Sequence, residues 1–254
     1  MRKLFLLAIM VCFLGFNWGS LAAAQEKSPD KAKIPAITTG AGYKAMVEAL
    51  VAAFKTSGGQ IEEMYGGHIG QMVAQIAQGS GATMVISDQA TLEAVSGDVK
   101  FEKFYDLGDT VLVLAWRKGL ELKSAADLTK PEIKIVTSPD PKAAIYGRAA
   151  SAFLKSSGLE EKLGARLLGV ASVPQVLAYI ISGECDAGFI NRAAAEASRE
   201  KLGGSLEIAE GYPPIHMVVA VVEGHGQDPE VKRFLTFLET PPALAIIKKN
   251  GVWR

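Results

Sequence analysis

Cysteine is nearly absent from this chain: of 254 residues only Cys12 and Cys185 carry a thiol. Cys12 lies in an apolar run, Leu4–Phe16, that follows the positive start Met1-Arg2-Lys3 and precedes Ala22-Ala23-Ala24. Positive start, short apolar stretch and small-residue site predict a secretory leader over residues 1–24, cleaved after Ala24. The mature chain then holds Cys185 alone, which excludes an internal disulfide even in a compartment that permits one. Cys185 sits between Ile180-Ile181-Ser182-Gly183-Glu184 and an apolar strand, and reads as a packed thiol. A long hydrophobic run is missing too. Leu4–Phe16 is too short to span a bilayer, so the expectation is a soluble protein exported to the periplasm. Net charge is lacking, with 27 basic residues against 27 acidic ones. No basic block or basic–aromatic stripe appears, which excludes nucleic acid as a partner. Histidine is scarce: His68, His216 and His225 lie far apart and form no metal-spaced cluster. No serine stands in a base–nucleophile pairing with them or with Glu184 and Asp186, so neither catalysis nor a cofactor has support.

What is present is an alternation of short apolar runs and amphipathic stretches. Residues 25–33, QEKSPDKAK, are polar and predict a disordered lead-in. About 230 residues remain, enough for one large or two medium domains. The stretch Ile37–Phe54, ITTGAGYKAMVEALVAAF, reads as a strand end, a turn with Gly40 and Gly42, and a mostly buried helix. The pattern recurs at once. Gln60–Tyr65 predicts a strand, Gly66-Gly67-His68 a turn, and Ile69, Met72, Val73 and Ile76 an amphipathic helix. Ala82–Ser87 predicts a buried strand, with Asp88 capping the helix that opens at Gln89.

Further along, strands are predicted at Thr110–Trp116, Ile133–Val136, Leu167–Val170, Ala187–Ile190, Leu206–Ile208 and His216–Val222. Helices are predicted from Ser124 to Leu128, through Leu154 to a stop at Gly158, from Ser172 to Ile181, at Arg192–Lys201, from Asp228-Pro229 to about Glu239, and at Pro241–Lys249. The class is therefore α/β with mostly parallel sheet. Four strand-to-helix turns, Thr39–Tyr43, Tyr65–Ile69, Ser138–Ala143 and Ala171–Val173, carry few bulky charges. In open α/β sheets ligands sit beyond the carboxyl ends of strands, against the N–H groups of helix N-termini. Convergence of these turns would build an anion cradle from backbone donors.

In order and spacing, AGYKAMVEALVAAF, QMVAQIAQGSGATMVISDQATLEAV, AAIYGRAA, SGECDAGFIN and VVAVVEGHGQDPEVKRFLTFLETPPALAIIKKNG resemble the periplasmic molybdate-binding proteins of ABC importers (ModA type). The resemblance runs over essentially the whole mature chain. It implies a two-lobe periplasmic binding protein fold (type II), each lobe a mostly parallel sheet flanked by helices. Lobe one would be residues 34–112 plus 216–254, and lobe two residues 113–215. Two crossing strands, near Val111–Ala115 and Ile215–Val219, would serve as hinges. The implied partners are a small anionic ligand and the importer's membrane subunits, and the implied state is a monomer.

In the family, hydroxyls and backbone N–H groups at the four turns hold the oxyanion. Carried over, the ligand contacts fall on Thr39, Gly42, Tyr43, Gly67, His68, Ile69, Lys142, Ala143, Tyr146, Val173 and Asn191. Ala143, Tyr146 and Val173 match the family. The family's serine in the first turn falls at Gly42, its serine-rich second turn is Gly66-Gly67-His68-Ile69, its tyrosine falls at Asn191, and a proline falls at Lys142. Losing a hydrogen bond to a charged ligand costs about 1.5–3 kcal/mol, so three lost hydroxyls are enough to change the ligand. Three readings follow. One is a molybdate- or tungstate-type oxyanion. The second is another small anion, such as a phosphonate, carboxylate or sugar phosphate. The third is a metal- or haem-handling protein using His68 with Met64 or Met72, against which those methionines read as core.

Overall fold

The computed structural model describes residues 34–254; the leader and lead-in, residues 1–33, lie outside the described residues. Strand β1 (Ala36–Thr39) leads through a 3-10 turn at Ala41–Tyr43 into α1 (Lys44–Thr56). β2 (Glu62–Tyr65) leads into α2 (Ile69–Ala77), and β3 (Ala82–Asp88) into α3 (Gln89–Val95). β4 (Phe101–Thr110) and β5 (Leu112–Trp116) follow with no helix between them. After a 3-10 segment at Ala125–Thr129 come β6 (Val136–Pro139), α4 (Ile145–Ser156), α5 (Leu159–Leu163), β7 (Leu167–Val170) and α6 (Val173–Ser182). The chain ends with β8 (Ala187–Asn191), α7 (Arg192–Ala197), β9 (Gly204–Ile208), β10 (Ile215–Val222), α8 (Pro229–Phe237) and α9 (Pro241–Lys249).

These strands form two five-stranded sheets on one plan, ordered β2-β1-β3-β10-β4 and β7-β6-β8-β5-β9. In each, the first three strands are parallel and the fourth is antiparallel to both neighbours, so only β10 and β5 run against the rest. The fold is thus α/β, with two mixed, mainly parallel sheets flanked by helices. The chain passes from the first sheet to the second at Val111 and returns between Ile208 and Ile215. One side chain ties the two passages together. The Tyr212 hydroxyl donates to Ile208 O at 2.6 Å and accepts the Leu112 N–H at 2.8 Å.

Local chemistry explains most elements. α1 buries Met46, Val47, Leu50, Val51 and Phe54, one face of a helix, beside Ile37, Met84 and Ile86. Phe54 also stacks on Phe234 and Phe237 of α8 at 5.2 and 5.4 Å between ring centroids. Each such side chain contributes about 1.5–3 kcal/mol when fully buried. Asp88 caps α3 as read from the sequence, its carboxylate accepting the Thr91 N–H at 3.1 Å.

Several elements differ from the sequence reading, and α5 was not foreseen. β4 was not foreseen: only three of its ten residues are buried, and at the sheet edge β10 is the one strand it pairs with, apart from a single bridge from Asp109 to Trp253. The strand predicted at Ile133–Val136 lies instead at Val136–Pro139. The Lys134 and Ile135 amides that would have entered the ladder donate to the Asp186 carboxylate at 2.6 and 3.0 Å. The helix predicted at Arg192–Lys201 stops at Ala197 and resumes as a 3-10 turn at Arg199–Lys201.

Candidate functional site

All four strand-to-helix turns, two from each sheet, meet around one cleft of about 630 Å³. Thr39 to Lys44 line it from the first turn and Tyr65 to Ile69, with Gln71, from the second. Ala143 to Tyr146 and Ala171 to Val173 line it from the third and fourth. Of the residues predicted to touch ligand, Thr39, Gly42, Tyr43, Gly67, His68, Ile69, Ala143, Tyr146 and Val173 are brought together here, while Lys142 and Asn191 are not in the lining.

In the first turn the Tyr43 N–H donates to Gly40 O at 3.1 Å, and the Tyr43 ring turns inward. A Cβ on Gly40 would sit 3.3 Å from Ile69 Cγ1, so the first two turns lie against each other. The Tyr43 hydroxyl lies 2.5 Å from that of Tyr146, which lies 3.1 Å from Thr110 Oγ1. Three hydroxyls therefore run in a chain from the start of α1 through α4 to the end of β4. Burial pushes the Tyr43 phenol up to about 12, while its hydroxyl contacts pull it partly back. Burial also holds Tyr146 well above the ordinary phenol range.

The sign of the linkage follows. Unfolded tyrosine ionises near pH 10, so the folded chain keeps a proton that the unfolded chain has released. Stability from burying the Tyr43 phenol is whole below about pH 10 and is lost as pH rises through about 12. Melting temperature is expected to fall across this window. Tyr43→Phe, measured in parallel by circular dichroism, should show a shallower fall; identical slopes would remove Tyr43 as the cause.

In the second turn the His68 N–H donates to Gln71 Oε1 at 3.3 Å, and the ring of exposed His68 lies over Gly70. The Gln71 side chain covers Gly67, and Met72 Cε covers Gly66. Met72 is thus packed beneath the turn and buried, and Met64 is half-buried on β2. Among the described residues no three His, Cys, Asp or Glu side chains are placed to hold a metal.

In the third turn Asp140 takes the local amides. Its carbonyl accepts from Ala143 and Ala144 at 3.2 and 2.9 Å, and its carboxylate accepts the Lys142 N–H at 2.8 Å. Those three donors are therefore spent inside the turn, which leaves the first amides of α4 itself, from Ile145 on. Lys142 is exposed. In the fourth turn Ser172 O accepts from Gln175 and Val176 at 3.1 Å each, and the Ser172 hydroxyl makes no capping bond.

Side chains also tie one wall to the other. Asn191 donates to Gly42 O at 2.9 Å and accepts from Ala194 at 2.9 Å, so its amide braces the first turn and caps α7. Arg148 of α4 pairs with the buried Asp88 carboxylate and donates to Thr91 Oγ1 at 2.6 Å. Lys44, Gln71, Ala144 and Ile145 line the cleft from outside the four turns, and sequence reasoning missed them. For Lys44 a signal existed: a lysine opening a helix directly after a glycine turn. Among the described lining residues Lys44 carries the fixed charge, and no carboxylate is present.

Residues 35–252 match the sequence profile described as bacterial extracellular solute-binding protein. The chain is 29% identical over 194 residues to the molybdate-binding protein ModA of Rhodobacter capsulatus, covering 73% of this chain and 74% of that one. It is 26% identical over 222 residues to ModA of Azotobacter vinelandii, covering 85% and 88%. The solved structure of the Azotobacter vinelandii periplasmic molybdate-binding protein shares the fold. Its TM-score is 0.75 at 24% identity, over 87% of this chain and 99% of that one.

Proposed function

The chain belongs to the bacterial extracellular solute-binding proteins, and from that premise we propose that it captures a small anion between its two sheets and delivers it to the membrane subunits of an ABC importer. One observation carries the choice of an anion: four turns converge on a cleft whose lining holds Lys44 and no carboxylate. Residues 34–112 plus 216–254 would form one lobe and residues 113–215 the other. Closure would bend the passages at Val111 and between Ile208 and Ile215. The leader predicted over residues 1–24 supports export to the periplasm, and intact mass of the exported protein checks it: a mass that retains Cys12 overturns the reading.

The molybdate-binding relatives make molybdate and tungstate the first ligands to test. Gly42, Ile69 and Asn191, none bearing a hydroxyl, favour a different anion as the second reading. A thermal-shift screen over oxyanions, organic anions, Cu²⁺ and Zn²⁺ decides. A ligand at a hundred times its Kd adds about 2.7 kcal/mol. For a chain of this size that is a rise of about 5–10 °C in melting temperature. Stabilisation by a metal and by no anion would reject the proposal in favour of the His68 reading.

Gly42→Val tests the first turn. A Cβ there meets only Asn191 Nδ2, at 3.7 Å, so the fold has room for it. The expected result is a Kd at least tenfold weaker by calorimetry with an unchanged circular dichroism spectrum. Unaltered affinity would take this turn out of the site.

A further inference from the structure

Resting on the anion reading above, we infer that the ligand carries an apolar body, with its charged group held by Lys44 at the first-sheet wall and the uncharged part against the second-sheet wall. Size is the first argument. Clefts that bury organic molecules run from about 300 to 1,000 Å³, and this one holds about 630 Å³. That space exists with the walls already tied by Tyr43–Tyr146 at 2.5 Å, by Asn191 to Gly42 O at 2.9 Å, and by Arg148–Asp88. Further closure has little room to shrink it, and a tetrahedral oxyanion would leave most of it to water.

Polarity is the second argument. The basic lining groups, Lys44 and His68, both belong to the first-sheet side of the cleft. The second-sheet wall offers Ala143, Ala144, Ile145, Ala171 and Val173, relieved by the Ser172 hydroxyl and by the Tyr146 hydroxyl, which is already engaged with Tyr43 and Thr110. Its turn amides at 142–144 are already bonded to Asp140, which leaves the amides that open α4, from Ile145 on, as the donors on that side. A sugar phosphate would strip water from several hydroxyls against this wall and find partners for only some of them, a penalised arrangement. An alkyl or aryl group loses nothing there and gains burial.

Availability of the charge is the third. Lys44 Nζ lies 3.6 Å from Glu48, but both side chains are about half exposed, at 52% and 48%. Such a pair binds weakly and yields to a better partner. The ammonium also lies 5.2 Å from the centroid of the Tyr65 ring, which holds it at the cleft.

Calorimetry on the mature chain tests this with two groups of probes. Phenylphosphonate, benzoate and hexanoate form the first; molybdate, inorganic phosphate and glucose 6-phosphate form the second. The tightest of the first group is expected to bind at least tenfold more strongly than any of the second. Lys44→Gln should weaken it at least tenfold, with Lys44→Arg keeping most of the affinity and both variants folded by circular dichroism. If molybdate or phosphate binds as tightly, or Lys44→Gln is without effect, the inference fails while anion capture stands. If no anion in either group binds, anion capture fails first and the inference with it.

Discussion

Arg148→Met is expected to destabilise the protein by about 3 kcal/mol, the low end of the cost of leaving one partner of a buried ion pair uncompensated. The Asp88 side chain is 1% exposed, and one carboxylate oxygen accepts both from Arg148 and from the Thr91 N–H. Its other oxygen is buried without a partner among the described residues. Removing the guanidinium leaves a charge that the Thr91 amide alone cannot settle. Arg148 is itself 37% exposed, so water reaches part of the gap and holds the loss to the lower end of the range. The drop in melting temperature should be about 6–12 °C. Adding Asp88→Asn removes the stranded charge and keeps an acceptor for Thr91, so the double variant should recover part of the loss. A double-mutant cycle by chemical denaturation measures the coupling. Strict additivity would show that the two side chains do not depend on each other.

Gly147→Ala should cost about 2 kcal/mol, against the ordinary rule. Inside a helix, alanine in place of glycine normally stabilises by about 0.5–1 kcal/mol. Here α4 lies so close to the preceding turn that a Cβ at Gly147 would sit 2.5 Å from Pro139 O and closer still to Asp140 O. Both are backbone atoms and cannot swing aside. Overpacking of this kind costs about 1–3 kcal/mol, and the helix relieves it only by lifting. Tyr146 and Arg148 flank the position, so lifting α4 also disturbs the hydroxyl chain and the Asp88 pair. Thermal unfolding should show a fall of about 4–8 °C. A rise would mean that α4 tolerates a side chain at its closest approach.

These two residues also show where reading the chain by sequence stops. The four turns were legible because their signals are local: glycine or serine after an apolar run, then a helical period. Asp88 was legible as a cap for the same reason. Its pairing with Arg148, 60 residues on, was not, since nothing in either neighbourhood announces the other. β4 escaped notice because its one neighbouring strand, β10, follows about a hundred residues later and only three of its ten residues are buried. The start of β6 was displaced by Asp186, some 50 residues away, which captures two amides. Asn191 was read as a ligand contact, yet its amide is engaged by Gly42 O, 149 residues away, and by Ala194. Lys142 carried a charge that suited an anion, and its turn directs it away from the lining.

The Tyr212 hydroxyl, bonded to Ile208 O and the Leu112 N–H, has a mechanical meaning. Two tethers left separate would let the halves twist as well as bend, because the return passage has several residues of slack between Ile208 and Ile215. Riveted at one point, they would behave under the proposed function as a single ribbon, stiff in torsion and compliant across its width. Under the closure proposed above, opening then follows one arc, and the walls meet in the same alignment on every stroke.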